Sequence, residues 1–190
     1  MSNNRFINSA KAMMPVMGEY VAVDFDGTIL KNKSWGELMT LEIHESVIEA
    51  VKLLTQKGKG IIITTNRPEI TRGTMKQESY AEAQNAIIEI LRSQGASVLG
   101  VWYCPSTDKN DPYLKPNPGM FLKLKNENGI DWKKTPVLAS SMADVKAGSA
   151  VGAEVIIIEN ENFTLKSLGS LRLGKQFKSF PSLLDYAKSL

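Results

Sequence analysis

The chain has 190 residues, of which 43% are hydrophobic and 23% charged, and its net charge at neutral pH is +3. That composition suits a globular protein with a substantial core, and no apolar run approaches the roughly 20 residues that a membrane span needs. The single cysteine, Cys104, excludes an internal disulfide and points to a reducing, cytoplasmic setting. Lys and Arg are scattered, with KNK at 31–33 and KK at 133–134 the nearest thing to clusters, which weighs against a nucleic-acid-binding stripe.

Residues 1–18 lack the continuous apolar core of a secretory signal and are expected to form an N-terminal arm, followed by a single domain over 19–190. Short apolar runs rich in β-branched residues then recur: YVAVDF near 20, GIIITT near 60, SVLGVWY near 98, PVLAS near 136 and AEVIIIE near 153. Each is bounded by Gly, Pro, Asn or Asp, as buried strands are. Between them lie helical patterns. SVIEAVKLLTQKGK stops at Gly58, SYAEAQNAIIEILRSQG stops at Gly95, and PGMFLKLKNENG and MADVKAGSAVG are shorter. FPSLLDYAKSL reads as a closing helix with Pro181 near its start. Alternating strands and helices predict an α/β fold: a Rossmann-like three-layer sandwich around a mostly parallel sheet.

In such sheets ligands sit beyond the carboxyl ends of the strands. Asp24 and Asp26 end the first strand, and alternation puts both on one side of it. Two carboxylates placed together after the buried run VAV suit a hard cation such as Mg²⁺. Thr65 and Asn66 end the next strand and are candidates to hold phosphate oxygens. Lys115, between two proline-constrained steps in LKPNPG, could offset both the carboxylates and a phosphate. Arg67 and Arg72 follow the phosphate-binding turn and are candidates to contact the rest of a charged substrate. His44 reads as an exposed first-turn residue, and Trp35, Trp102 and Trp132 as packing residues, with Trp102 and Tyr103 possible neighbours of a substrate pocket.

Together, DFDGT, the strand-end Thr65, Lys115 and the acidic loop after a later strand resemble the four motifs of the haloacid dehalogenase superfamily. The likeness runs from Val21 to Gly152 and is closest to the small-cap histidinol-phosphate and heptose-bisphosphate phosphatases. TNRPEITRG, GVWYCPSTD and LKPNPGM are the stretches that carry it. The resemblance implies a minimal cap or none and a Mg²⁺-dependent hydrolase of phosphate monoesters. By it, Asp24 is the nucleophile that becomes an aspartyl phosphate, and Asp26 the acid and then the base. Thr65 and Asn66 hold the phosphoryl group, and Lys115 stabilises it and Asp24. Asp24, the Asp26 carbonyl and the acidic loop hold the metal. A small phosphorylated metabolite of the sugar-phosphate kind is the implied substrate.

Two departures stand out. Ala139 and Ser140 occupy the places of a Gly and of an Asp that is ordinarily a metal ligand, while Asp144 fills the second acidic position. Metal binding then falls to Asp24, Asp26 and Asp144, with Ser140 or a water that it holds. Relatives also carry a zinc loop, but here Cys104 is followed by Ser106, Asp111 and Tyr113 at the other ligand positions, so structural zinc is not expected. Leu114 replaces an Arg that relatives use near a second acidic group. Two alternatives therefore stand beside the phosphatase: a protein of this fold that binds a phosphorylated ligand or partner without turnover, and, less favoured, a 3′-phosphatase acting on nucleic-acid ends. The oligomeric state is not legible.

Overall fold

The computed structural model describes residues 7–8, 19–30, 43, 45–166 and 177–190. Trp35, His44, the KNK stretch and the rest of residues 1–18 lie outside the described residues. A seven-stranded sheet organises the chain: β1 (Ile7–Asn8), β2 (Glu19–Asp24), β3 (Lys59–Asn66), β4 (Val98–Cys104), β5 (Val137–Ala139), β6 (Val155–Ile158) and β7 (Lys178–Phe180). Its spatial order is β1-β4-β3-β2-β5-β6-β7. All neighbours are parallel except β1, which runs antiparallel to β4. The helices are α1 (Glu45–Gln56), α2 (Pro68–Thr71), α3 (Gln77–Ser93), α4 (Gly119–Asn128), α5 (Met142–Ala150) and α6 (Leu183–Ser189).

The strand pleat sorts the core into two layers. Val21 and Val23 of β2 join Ile61 and Ile63 of β3 on one face, under α1, α3 and α6. Tyr20 and Ala22 join Ile62 and Trp102 on the other, against Met120, Phe121 and Leu124 of α4 and against Trp132. Helix α1 buries Val47, Ala50, Val51 and Leu54, the three-and-four spacing of one helical face. Val47, Val51 and Leu54 each contribute roughly 1.5–3 kcal/mol on burial. Trp102 and Trp132 are fully buried, and the Trp132 indole donates to the Phe121 carbonyl at 2.8 Å, so both are packing residues.

All of the strands and helices expected from the sequence are present. The structure adds three elements. Strand β1 lies inside the stretch read as an arm, the three-residue β7 closes the far edge, and the one-turn α2 begins at Pro68.

Strand β2 is the centre of the sheet, with β3 and β4 to one side and β5 to β7 to the other. The loops that leave its end and those of its neighbours therefore diverge, and a crevice opens at that switch point. Both departures from strand geometry there are local. Gly27 follows Asp26 with φ of +77°, a left-handed conformation that permits the sharp exit. On the far side, the Ser106 hydroxyl and the Asp108 and Asp111 carboxylates each accept a main-chain N–H two residues on. Asn117 then ties that loop to the carbonyls of Lys109 and Asp111.

The 105–118 loop closes on α4 through Gly119, whose N–H donates to the Pro112 carbonyl at 2.8 Å. A Cβ at Gly119 would run into that carbonyl. Gly119→Ala is therefore expected to cost about 1–3 kcal/mol in denaturant unfolding. A variant as stable as the natural chain would show that the loop shifts freely.

Candidate active site

The acidic pair sits where the strand ends. Phe25 turns fully into the core, and Asp24 and Asp26, one residue to either side, line a cleft of about 640 Å³. Ser140 and Ser141, at the end of β5, line it too, as do Glu159 to Phe163 after β6 and Ser182 before α6. Asp24 is nearly surrounded. Its Oδ1 accepts from the Phe25 N–H at 2.9 Å and from Lys115 Nζ at 3.2 Å, and its Oδ2 from Ser140 Oγ at 3.1 Å.

Lys115 reaches this point through the interior, with 2% of its side chain exposed. Its ammonium donates to Asp24, to the Thr64 carbonyl at 3.0 Å and to Asp144 Oδ1 at 2.5 Å. Burial opposes the charge, but Asp144 and Asp24 outweigh it and hold the Lys115 pKa above its ordinary value. The lysine's main chain is fixed by Asn66, whose amide Nδ2 donates to the Lys115 carbonyl at 2.8 Å while Oδ1 accepts its N–H at 3.0 Å. Asn66 thus aims the lysine, and both ends of its amide are engaged in doing so. Thr65 is 1% exposed at the end of β3, next to Thr64, which pairs in register with Asp24.

Asp144 serves the lysine and its own helix. Its Oδ2 accepts from Ser141 Oγ at 2.7 Å and from the Ser140 N–H at 3.3 Å. Ser141 caps α5 by accepting the Asp144 N–H in return.

Among the described residues, no three His, Cys, Asp or Glu side chains gather as a metal cluster. The donors that do meet are Asp24 Oδ2, the Asp26 carbonyl and Ser140 Oγ, the hydroxyl lying 3.1 Å and 3.0 Å from the other two. An octahedral ion with ligands at ~2.1 Å spaces adjacent oxygens about 3 Å apart, so this all-oxygen set fits a small hard cation. Only one of these three donors is a carboxylate oxygen.

Arg67 stands apart from the substrate-contacting position expected of it. Its side chain is 1% exposed and its guanidinium grips Asp26, NH1 to Oδ2 at 2.5 Å and NH2 to Oδ1 at 3.1 Å. Neither Arg67 nor Arg72 lines the described cleft; Arg72 is exposed just beyond α2. Sequence reading passed over two supporting groups. The Thr64 carbonyl carries no sequence signal. Asn160, whose Nδ2 donates to the Ser140 carbonyl at 2.9 Å, follows β6 by two residues, so the strand-end rule applied to β6 would have found it.

Comparison with known proteins gives the chain a family and its fold a set of counterparts. The model of a family described as polynucleotide kinase 3 phosphatase matches residues 19–165. The D-glycero-beta-D-manno-heptose-1,7-bisphosphate 7-phosphatase of Neisseria meningitidis is 26% identical over 175 residues, covering 88% of this chain and 92% of the relative. The D-glycero-alpha-D-manno-heptose-1,7-bisphosphate 7-phosphatase of Campylobacter jejuni is 24% identical over 167 residues, covering 87% and 94%. Among solved structures, the D,D-heptose 1,7-bisphosphate phosphatase from B. bronchiseptica, complexed with magnesium and phosphate, has a TM-score of 0.77 at 19% identity, covering 90% of this chain and 97% of the other. The corresponding enzyme from Burkholderia thailandensis has a TM-score of 0.64 at 19% identity, with the same coverage. The fold is that of the haloacid dehalogenase phosphatases.

Burial pushes the Asp24 carboxyl up to about 6; Lys115 opposes the rise, and Asp144 and Asp26 add to it. The unfolded chain releases this proton first, so in metal-free protein the group's contribution to stability is present below about pH 3.8 and lost as the pH rises to about 6. Asp24→Asn is therefore expected to raise the stability of chelator-treated protein at pH 7 by on the order of 1–3 kcal/mol, and to flatten the decline through the acid range. Thermal unfolding across pH checks this, and an Asn variant less stable at pH 7 would contradict it.

Proposed function

This chain belongs to the polynucleotide kinase 3 phosphatase family, and we propose that it removes the phosphoryl group from a small sugar-phosphate-like metabolite by way of an aspartyl phosphate on Asp24. The observation that carries this reading is the setting of Asp24. A carboxylate raised by burial faces a cleft, with a buried ammonium on one oxygen and a hydroxyl on the other. Such a group is desolvated, oriented and flanked by the positive charge that a transferring phosphoryl group needs.

In the first half-reaction an Asp24 oxygen bonds to phosphorus as the bond from phosphorus to the leaving oxygen breaks, and Asp26 gives that oxygen a proton. In the second, water attacks phosphorus and passes a proton to Asp26. The bond from phosphorus to Asp24 breaks, inorganic phosphate departs, and both carboxyl groups return to their starting states. Lys115 keeps its hold on Asp24 throughout, anchored from behind by Asp144 and the Thr64 carbonyl. In this reading Thr65, at the end of β3, holds the phosphoryl group, and Asn66, whose amide is spent on the Lys115 main chain, acts through that lysine. Magnesium, held by Asp24, the Asp26 carbonyl and Ser140, would neutralise the charge that gathers when a phosphate dianion approaches the acids.

The substrate class rests on the relatives, which match over nearly their whole length and are named for heptose bisphosphates. Two competing readings have their own observations. Ser140 in place of a carboxylate favours a protein that binds a phosphorylated ligand without turnover, and the family's description favours a 3′-phosphorylated nucleic-acid end.

Phosphate release from sugar phosphates, nucleotides and 3′-phosphorylated oligonucleotides, with magnesium or with chelator, separates them. Magnesium-dependent release from sugar phosphates that disappears in Asp24→Asn is the expected result. Release from oligonucleotides alone would move the substrate to nucleic-acid ends, and no release from any substrate would support the binding protein. Ser140→Asp is expected to tighten magnesium binding about tenfold in calorimetry, because it adds an anionic ligand. Unchanged affinity would place the ion elsewhere.

A further inference from the structure

Arg67 is held by four separate features. It precedes Pro68, which disfavours helical backbone at that position, and its φ is −133°. Its N–H donates to the Cys104 carbonyl at 2.7 Å, fixing the end of β3 to the end of β4. Its guanidinium lies 5.7 Å from the centre of the Phe25 ring and 5.2 Å from that of Tyr80, two buried aromatic faces from different elements. NH1 also donates to the Asn66 carbonyl at 2.9 Å. A side chain so enclosed has little freedom to swing towards a substrate.

What the fork meets is the carboxylate of Asp26, on the turn between β2 and Gly27. A main-chain turn that ends in a positive-φ glycine does not by itself fix a side chain. A planar fork bonded to both oxygens does, because turning the carboxylate about either side-chain bond breaks at least one of the two hydrogen bonds. Asp26 has 14% of its side chain exposed and lines the cleft beside Asp24.

We propose that Arg67 is a positioning residue, which holds the Asp26 carboxylate in the place from which it exchanges protons with the leaving oxygen and then with water. The inference rests on the reading of Asp24 as nucleophile and Asp26 as acid and base. It separates the two arginines that follow the phosphate-binding turn: Arg67 acts through Asp26 and touches no substrate.

The test uses leaving groups. 4-Nitrophenolate departs without a proton, so the first half-reaction with its phosphate ester does not need Asp26, whereas hydrolysis of the aspartyl phosphate does. In Arg67→Met, which fills the space between the rings without a fork, 4-nitrophenol is expected in a burst equal to the enzyme concentration. A steady rate about 10–100-fold below that of the natural chain should follow, with KM falling alongside kcat and kcat/KM little changed. An alkyl phosphate should show a similar or larger loss in kcat and no burst. Arg67→Lys, a point charge that cannot fork, should fall between the two and serves alone if the Met variant does not fold.

A raised KM with unchanged kcat would make Arg67 a substrate ligand. A burst reduced in proportion to the rate would make it merely structural. Either result overturns the proposal. If the natural chain turns over neither ester, the phosphatase reading fails independently, and a crystal structure of Arg67→Lys decides this one. A displaced Asp26 carboxylate supports positioning, and one that stays within about 0.5 Å refutes it.

Discussion

Lys115 carries its ammonium into the interior, 3.2 Å from Asp24 and 2.5 Å from Asp144, and every other feature of the site is arranged around that charge. An ammonium removed from water is tolerable only beside opposite charge with its donors satisfied, and here two carboxylates and the Thr64 carbonyl meet that need. The requirement runs both ways. Asp144 is 2% exposed and Asp24 13%, so removing the lysine would strand two acids, one of them fully buried, a change of the kind that costs about 3–5 kcal/mol. Asn66 clamps the lysine's main chain, and Gly119 fastens the loop that delivers it.

The two acids at the end of β2, one residue apart, would repel if they shared one environment. The fold gives each its own cation. Asp24 belongs to Lys115, and Asp26 to Arg67 on the other side of the Phe25 backbone. Counted with Asp26 ionised, as it is when it takes the proton from water, three carboxylates against two side-chain cations leave an excess of one negative charge, close to the place where a phosphate must enter. That excess is what a divalent cation would offset. Ser140 keeps it at one, where a carboxylate at that position would make it two. The hydroxyl also supplies a proton to a site otherwise crowded with acceptors, since it lies within hydrogen-bonding distance of Asp24 and of the Asp26 carbonyl.

Much of this was legible because it follows from period and position. The buried strands announced themselves as short runs of Val and Ile, and the strand-end rule assigned Asp24, Thr65, Lys115 and the segment around Ser140 to one crevice. Strand β7 was missed because Lys178, Ser179 and Phe180 offer neither alternation nor a buried run; its parallel pairing with β6 comes from tertiary context. Arg67 was found as a residue but not in its setting. From sequence, an arginine after a phosphate-binding turn looks available to solvent, and only the three-dimensional approach of Tyr80 from α3 shows that it is enclosed. Asp144 was read as a metal ligand, and the lysine it holds lies 29 residues earlier in the chain, a pairing no local pattern encodes.

The measurement that bears most directly on the whole reading is capture of the covalent intermediate. The protein would be mixed with magnesium and a phosphate ester that it turns over, quenched within a turnover, and treated with borohydride, which reduces an acyl phosphate to the alcohol. Peptide mass spectrometry should then find homoserine at position 24, and at neither 26 nor 144. Turnover without any modification at Asp24 would mean that water attacks phosphorus directly, and that the buried carboxylate beside Lys115 has some other task.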